Sequence, residues 1–102
     1  GLRRMTIAEK AWTDDLRELG CVVCSMQGHP GTQCEIHHVL FAGRRQSDLE
    51  TIGLCPGHHR TNDEPGKISR HPWRKRFEAA YGTEAELLQA TRTLVSKRRK
   101  HG

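Results

Sequence analysis

A small α+β domain is the fold class that the sequence predicts, and three observations carry it. Apolar residues recur at helical spacing near both ends of the chain, two short runs suited to β-strands lie in the middle, and thiols and imidazoles fall in two knuckles, Cys21-x-x-Cys24 and Cys55-x-x-His58. A chain of 102 residues has room for one core and not for two. Only 34% of its residues are apolar and 5% aromatic, so hydrophobic burial alone leaves the fold marginal against its conformational entropy. A further staple is required.

Thr6-Ile-Ala-Glu9 is a capping-box pattern, and Ile7, Ala8, Ala11, Trp12, Leu16 and Leu19 follow at helical spacing until Gly20 offers a left-handed C-terminal position. Between Cys24 and Cys34, Gly28, Pro30 and Gly31 predict a loop. Residues 35–40 and 51–54 predict two strands of a ribbon, joined by a long polar connection over 42–50. Pro56 is suited to a first helical position and predicts a helix carrying His58, His59 and Asn62. Residues 72–81 predict another helix, with Trp73, Phe77 and Tyr81 on one stripe and Gly82 as its cap. Thr83-Glu-Ala-Glu86 opens the last helix, whose apolar face is Leu87, Leu88, Thr91, Leu94 and Val95. The whole is expected to be a single domain over 1–102, with flexible basic ends at 1–5 and 97–102.

Three thiolates and an imidazole in two knuckles about 30 residues apart match a closed tetrahedral zinc site made by Cys21, Cys24, Cys55 and His58. His59 in place of His58 is the alternative, since either lies within reach of Cys55 at a helix start. Structural zinc contributes on the order of 10 kcal/mol to such folds, comparable to the whole stability of a domain, which accounts for the sparse core. Cys34 reads as a buried thiol outside this set. No apolar run is long enough for a signal peptide or a membrane span, so reduced thiols and a cytoplasmic setting are expected.

The formal net charge is +5, with basic clusters at Arg3 and Arg4, Arg44 and Arg45, residues 74–76 and residues 97–100. Such a balance predicts a polyanionic partner, because each cation that neutralises a phosphate releases counterions; a merely solvated surface is the alternative. Arg44, Arg45 and Arg60 are the candidate DNA contacts. Trp12, Trp73, Phe77 and Tyr81 are expected in the core first, given their helical spacing, and as platforms for nucleobases second.

Between and beside the knuckles lie His37, His38 and His59. The run Cys-x-x-Cys, Glu-Ile-His-His-Val, Leu-Cys-x-x-His-His-Arg resembles the HNH endonucleases, which are built on a ββα-metal core. Residues 43–48, 54–60 and 71–82 are similar to the phage recombination-enhancement nucleases within that class. The resemblance implies a DNA endonuclease that leaves 5′-phosphate and 3′-hydroxyl ends, uses Mg2+ or another divalent ion, and is directed by a RecA-type recombinase filament. Position by position, it places catalytic-metal ligands at His37 and His59 and a general base at His38. Imidazole, which titrates near neutral pH, suits that last task. The family's middle Asn has no counterpart; Asp48 and Thr51 are the polar residues available there, and Asp48 is the candidate to orient His38. Asn62 and His71 are possible additional ligands, with surface or turn roles as their alternatives. The basic segment such nucleases carry ahead of the nuclease domain has no counterpart in these residues, so weak DNA binding by the chain alone is expected. The competing functional class is a non-catalytic zinc-knuckle module for DNA binding or adaptation, in which the extra histidines are inert. A zinc protease is disfavoured, because no His-Glu-x-x-His helix is present. A monomer is the expected state.

Overall fold

The computed structural model describes residues 4–101, the last by its backbone alone. Arg3 of the first basic cluster therefore lies outside the described residues, as do the extreme ends expected to be flexible.

The first helix, α1, spans Ile7–Leu19. Its capping box forms as the sequence predicts: the Glu9 amide donates to Thr6 Oγ1 (3.1 Å) and the Thr6 amide to Glu9 Oε1 (2.8 Å). Leu16 and Leu19 are buried, as are Glu9 and Thr13, whereas Ile7 is 91% exposed on the outer side of the first turn. Gly20 has φ 81° with an extended ψ of −161° rather than a left-handed helical pair. A Cβ there would stand 2.5 Å from the carbonyl oxygen of Thr32, so only glycine lets the loop over 28–33 close against the end of α1. That closure fixes the first knuckle, since the Cys21 amide donates to Thr32 O at 3.0 Å. A short helix, α2 (Val22–Met26), forms between the knuckle's thiols and runs two residues into the loop expected between Cys24 and Cys34, with Cys21 Sγ accepting from the Cys24 amide.

Strand β1 (Glu35–His38) pairs antiparallel with β4 (Thr51–Leu54), placing Glu35 opposite Leu54, Ile36 opposite Gly53, His37 opposite Ile52 and His38 opposite Thr51. β4 is wholly buried. Gly53 sits where a Cβ would meet Cys34 Sγ at 2.7 Å and Gly20 O at 2.8 Å, so the absent side chain sets how closely the ribbon approaches α1. The connection expected as plain loop contains a second antiparallel pair, β2 (Leu40–Phe41) with β3 (Arg44–Arg45). Its two-residue turn has positive φ at both Ala42 (53°) and Gly43 (76°), the requirement of a type I′ hairpin. Alanine is strained in that region and asparagine is the preferred residue. Ala42→Asn is expected to raise the unfolding free energy by about 0.5–1 kcal/mol; an unchanged or lower denaturant midpoint contradicts the turn.

After β4 the chain makes one π-helical turn, Gly57–Thr61, in place of the longer helix expected from Pro56. It ends because Asn62 turns left-handed (φ 53°, ψ 27°), so Asn62 caps the turn rather than lying on it. Helix α3 runs Arg74–Tyr81, two residues later than expected, and α4 runs Glu84–His101. The basic end expected to be flexible begins within α4, which continues through His101, with Arg98 donating to Glu18 (2.9 Å) and Arg99 to Asp15, both on α1. The core joins Leu16, Val22, Ile52, Leu54, Phe77, Leu87 and Val95 around the buried thiols. Of the four aromatics expected in the core, Phe77 is fully buried, Trp12 and Tyr81 pack partly against it, and Trp73 is 41% exposed, contrary to the placement expected for it. Its stripe starts before the helix does, at a position α3 does not turn inward. No helix among the described residues is long and apolar enough to cross a membrane.

Candidate metal centres and active site

The two knuckles converge. Cys21 at the head of α2, Cys24 within it, Cys55 after β4 and His58 in the π-helical turn are all buried, and their ligand atoms lie within 4.8 Å of one another. His58 Nδ1 stands 3.5 Å from Cys21 Sγ, 3.6 Å from Cys24 Sγ and 3.3 Å from Cys55 Sγ, and the sulfurs of Cys24 and Cys55 are 3.8 Å apart. Tetrahedral bonds of about 2.3 Å to sulfur and 2.0–2.1 Å to nitrogen require separations of about 3.6 Å between nitrogen and sulfur and about 3.8 Å between two sulfurs. The Cys3His set therefore fits a metal such as zinc, and it is His58 rather than His59 that joins it. Burial pushes the Cys21 thiol up to about 12 and lowers the His58 imidazole to about 4, so His58 offers a neutral ring and a lone pair. Burial opposes ionisation of Cys55 as well, but hydrogen bonds led by the His58 amide and the Lys67 ammonium (3.3 Å) lower it overall. Cys34 stands apart, donating to Leu16 O at 3.5 Å.

His59 follows His58 by one residue and points to a different face. Its Nε2 is 3.2 Å from Nδ1 of His37, with the rings edge to face at 5.0 Å between centroids. Each ring is held from its far side: Nε2 of His37 donates to Glu84 Oε1 (3.1 Å), and Nδ1 of His59 donates to Glu35 Oε1 (2.7 Å). The tautomers that satisfy both carboxylates turn two lone pairs toward each other, which is repulsive unless an electrophile lies between them. Two nitrogens about 2.1 Å from one cation stand about 3.0 Å apart at a right angle and about 3.4 Å apart at a tetrahedral one. The observed spacing falls between these values.

Glu35 and Glu84 were not among the residues the sequence singled out. Arg60 donates to both oxygens of Glu35, and with His59 it holds that carboxyl at about 2. Burial works against ionisation of Glu84, yet donation from His37, the Leu40 amide (2.9 Å) and Arg70 Nε (2.6 Å) outweighs it and keeps the group at about 2. Both are anions fixed behind imidazoles, the arrangement that orients and strengthens histidine ligands. Arg60, expected as a DNA contact, is thus committed to Glu35.

Side chains alternate along β1, so Glu35 and His37 face the π-helical turn while Ile36 and His38 face α1. His38 and Ile36 line a cleft of about 400 Å³ with Lys10, Arg17, Arg45 and Asp48 among its walls. The regular register carries no bulge that would bring His37 and His38 into one pocket. Asp48 Oδ1 is 2.7 Å from His38 Nε2, and an Arg45 guanidinium nitrogen is 2.9 Å from the same atom. One nitrogen cannot both donate to a carboxylate and accept from arginine. The charged acceptor at the shorter distance wins, leaving Arg45 beside the ring and 3.8 Å from the Asp48 carboxylate. Arg44 is exposed on the same hairpin. Neither extra candidate joins the imidazole pair through its side chain: Asn62 Oδ1 accepts from the Trp73 indole (2.7 Å), and the His71 ring is exposed while its amide donates to His59 O (3.0 Å).

The site therefore has a buried thiol-rich cluster, two carboxylate-backed imidazoles facing each other, and a third imidazole with its own carboxylate in an adjoining basic cleft. No curated protein matches the sequence. A family model described as recombination enhancement, RecA-dependent nuclease matches residues 5–96, and over that span the chain belongs to this family of nucleases.

Proposed function

We propose that the protein is an HNH-type endodeoxyribonuclease, dependent on a divalent cation, whose cutting is directed by a recombinase filament and whose fold is stapled by zinc at Cys21, Cys24, Cys55 and His58. The observation that carries the reading is the spacing of 3.2 Å between two imidazole nitrogens, each ring anchored from behind by an ionised glutamate. Two protein ligands would leave the remaining positions of a cation to water and phosphate oxygens, as a catalytic site requires. When bound there, a divalent ion supplies charge neutralisation to the phosphoryl oxygens.

The chain's own residues do the rest. His37 and His59 would hold the ion, and Glu84 and Glu35 keep each ring in the tautomer that could ligate it. His38 accepts the proton of the attacking water at Nδ1, because Asp48 fixes the other ring proton on Nε2. His38 is the last residue of β1, so a DNA backbone crossing the ribbon end would meet both faces of the strand. Arg44 and Arg45 hold flanking phosphates, Arg45 exchanging the side of His38 for the substrate anion.

Supercoiled plasmid incubated with zinc-loaded protein, magnesium and a recombinase-coated oligonucleotide tests the reading. The parent is expected to nick or cut. His59→Ala is expected to retain one zinc and the parental melting profile while cleavage falls by at least about a hundredfold. DNA binding without any cutting by the parent, under all divalent ions tried, indicates an adaptor module and overturns the proposal.

A further inference from the structure

Trp73 is a large aromatic side chain standing in solvent, 41% exposed, in a domain with few aromatic residues. Its ring is nevertheless held in place. The indole N–H donates to Asn62 Oδ1 at 2.7 Å, and the Trp73 carbonyl accepts from the Phe77 amide at 2.8 Å. The Arg76 guanidinium lies 5.5 Å from the ring centroid. Arg74 is paired with Glu78 (2.9 Å), but neither Lys75 nor Arg76 meets a carboxylate among the described residues. Residues 72–76 together border a shallow cavity of about 270 Å³. A fixed aromatic face beside unneutralised cations is the combination that binds single-stranded nucleic acid, since every base has a π-face and the backbone is anionic.

Its location adds to the case. The amides of Arg70 and His71 donate to the carbonyls of His58 (2.8 Å) and His59 (3.0 Å), so this segment is laced to the turn that carries His59. Trp73 is two residues further on, at most about 7 Å along the chain. We infer that Trp73 is a stacking platform for an unpaired nucleobase next to the bond to be cut, with Lys75 and Arg76 on the neighbouring phosphates, so that the protein engages single-stranded DNA in preference to intact duplex. The inference rests on the nuclease reading for its meaning and on the Trp73 surface for its content. An ordered platform also loses little entropy on binding.

The test is equilibrium binding of the zinc-loaded full chain to a fluorescent oligothymidylate and to a blunt hairpin duplex, without added magnesium. Trp73→Ala is expected to weaken single-strand binding about tenfold to a hundredfold while duplex binding changes less than about twofold. Trp73→Phe keeps a stacking ring and is expected to retain most of the affinity, and Lys75→Gln with Arg76→Gln is expected to reduce the salt slope by up to about 2. Zinc content and circular dichroism verify that each variant is folded. Parental single-strand affinity in Trp73→Ala overturns the inference. So do equal losses on both DNAs, or a Trp73→Phe defect as large as that of Trp73→Ala, which marks the indole as an anchor for Asn62. Because no cutting is read, a protein that fails to cleave still reports on the platform, and a failed platform leaves the cleavage assay untouched.

Discussion

Stripping the metal from the Cys3His cluster, or replacing Cys55 by serine, is expected to unfold the domain. The four ligands come from chain segments on either side of the β1–β4 ribbon, and the three thiols are themselves part of the hydrophobic core with Val22, Ile52, Leu54 and Phe77. Without a cation the cluster is a liability: burial holds Cys21 protonated up to about 12 and His58 neutral down to about 4, so polar ligand atoms are buried among apolar side chains with no charge to coordinate. Structural zinc is worth about 10–16 kcal/mol in small domains, against a typical total stability of about 5–15 kcal/mol. Removing it should therefore exceed what the sparse apolar core supplies. Circular dichroism during titration with a chelator is expected to lose its helical signal as zinc leaves, and Cys55→Ser is expected to purify zinc-free and without a cooperative melt. Cys34→Ser, altering a thiol outside the cluster, should keep full zinc. A zinc-free protein that melts cooperatively at the parental temperature would show that the core suffices alone.

What was legible in the sequence was whatever is written in local spacing. The capping boxes at Thr6 and Thr83, the strand 51–54 and both knuckles are set within three or four residues, and each forms where expected. The pairing of His37 with His59 came from resemblance, and the ribbon and the turn after it bring the two rings together. The supporting carboxylates were not legible, because Glu35 and Glu84 lie 24 and 47 residues from the imidazoles they hold and sit in no repeating pattern. The β2–β3 hairpin was hidden for another reason: Ala42 precedes Gly43 where a type I′ turn usually shows asparagine. Trp73 shares the spacing of Phe77 and Tyr81 but stands at the N-cap, before the helical turn that would point it inward, and spacing alone does not show where α3 begins.

Replacement of His38 by alanine is expected to separate chemistry from structure. The residue ends β1 on the face opposite His37, outside the Cys3His cluster, and its ring borders a cleft rather than the core. Its loss should therefore leave zinc content, the melting profile and DNA affinity close to parental values. Cleavage should fall about a hundredfold to ten-thousandfold, the usual contribution of a positioned general base. Asp48→Asn makes the complementary test. An amide oxygen can still accept from Nε2, so the working tautomer survives, but a neutral acceptor stabilises the protonated ring less well. The expected loss is smaller, about fivefold to tenfold, and should fall on kcat with KM little changed. If His38→Ala cuts at the parental rate, water is activated elsewhere, and the Asp48 contact at 2.7 Å serves only to close the ribbon end over α1. If Asp48→Asn is as damaging as His38→Ala, the carboxylate's charge rather than its geometry carries the effect, and Arg45, 3.8 Å from the same oxygen, becomes the group whose placement it controls.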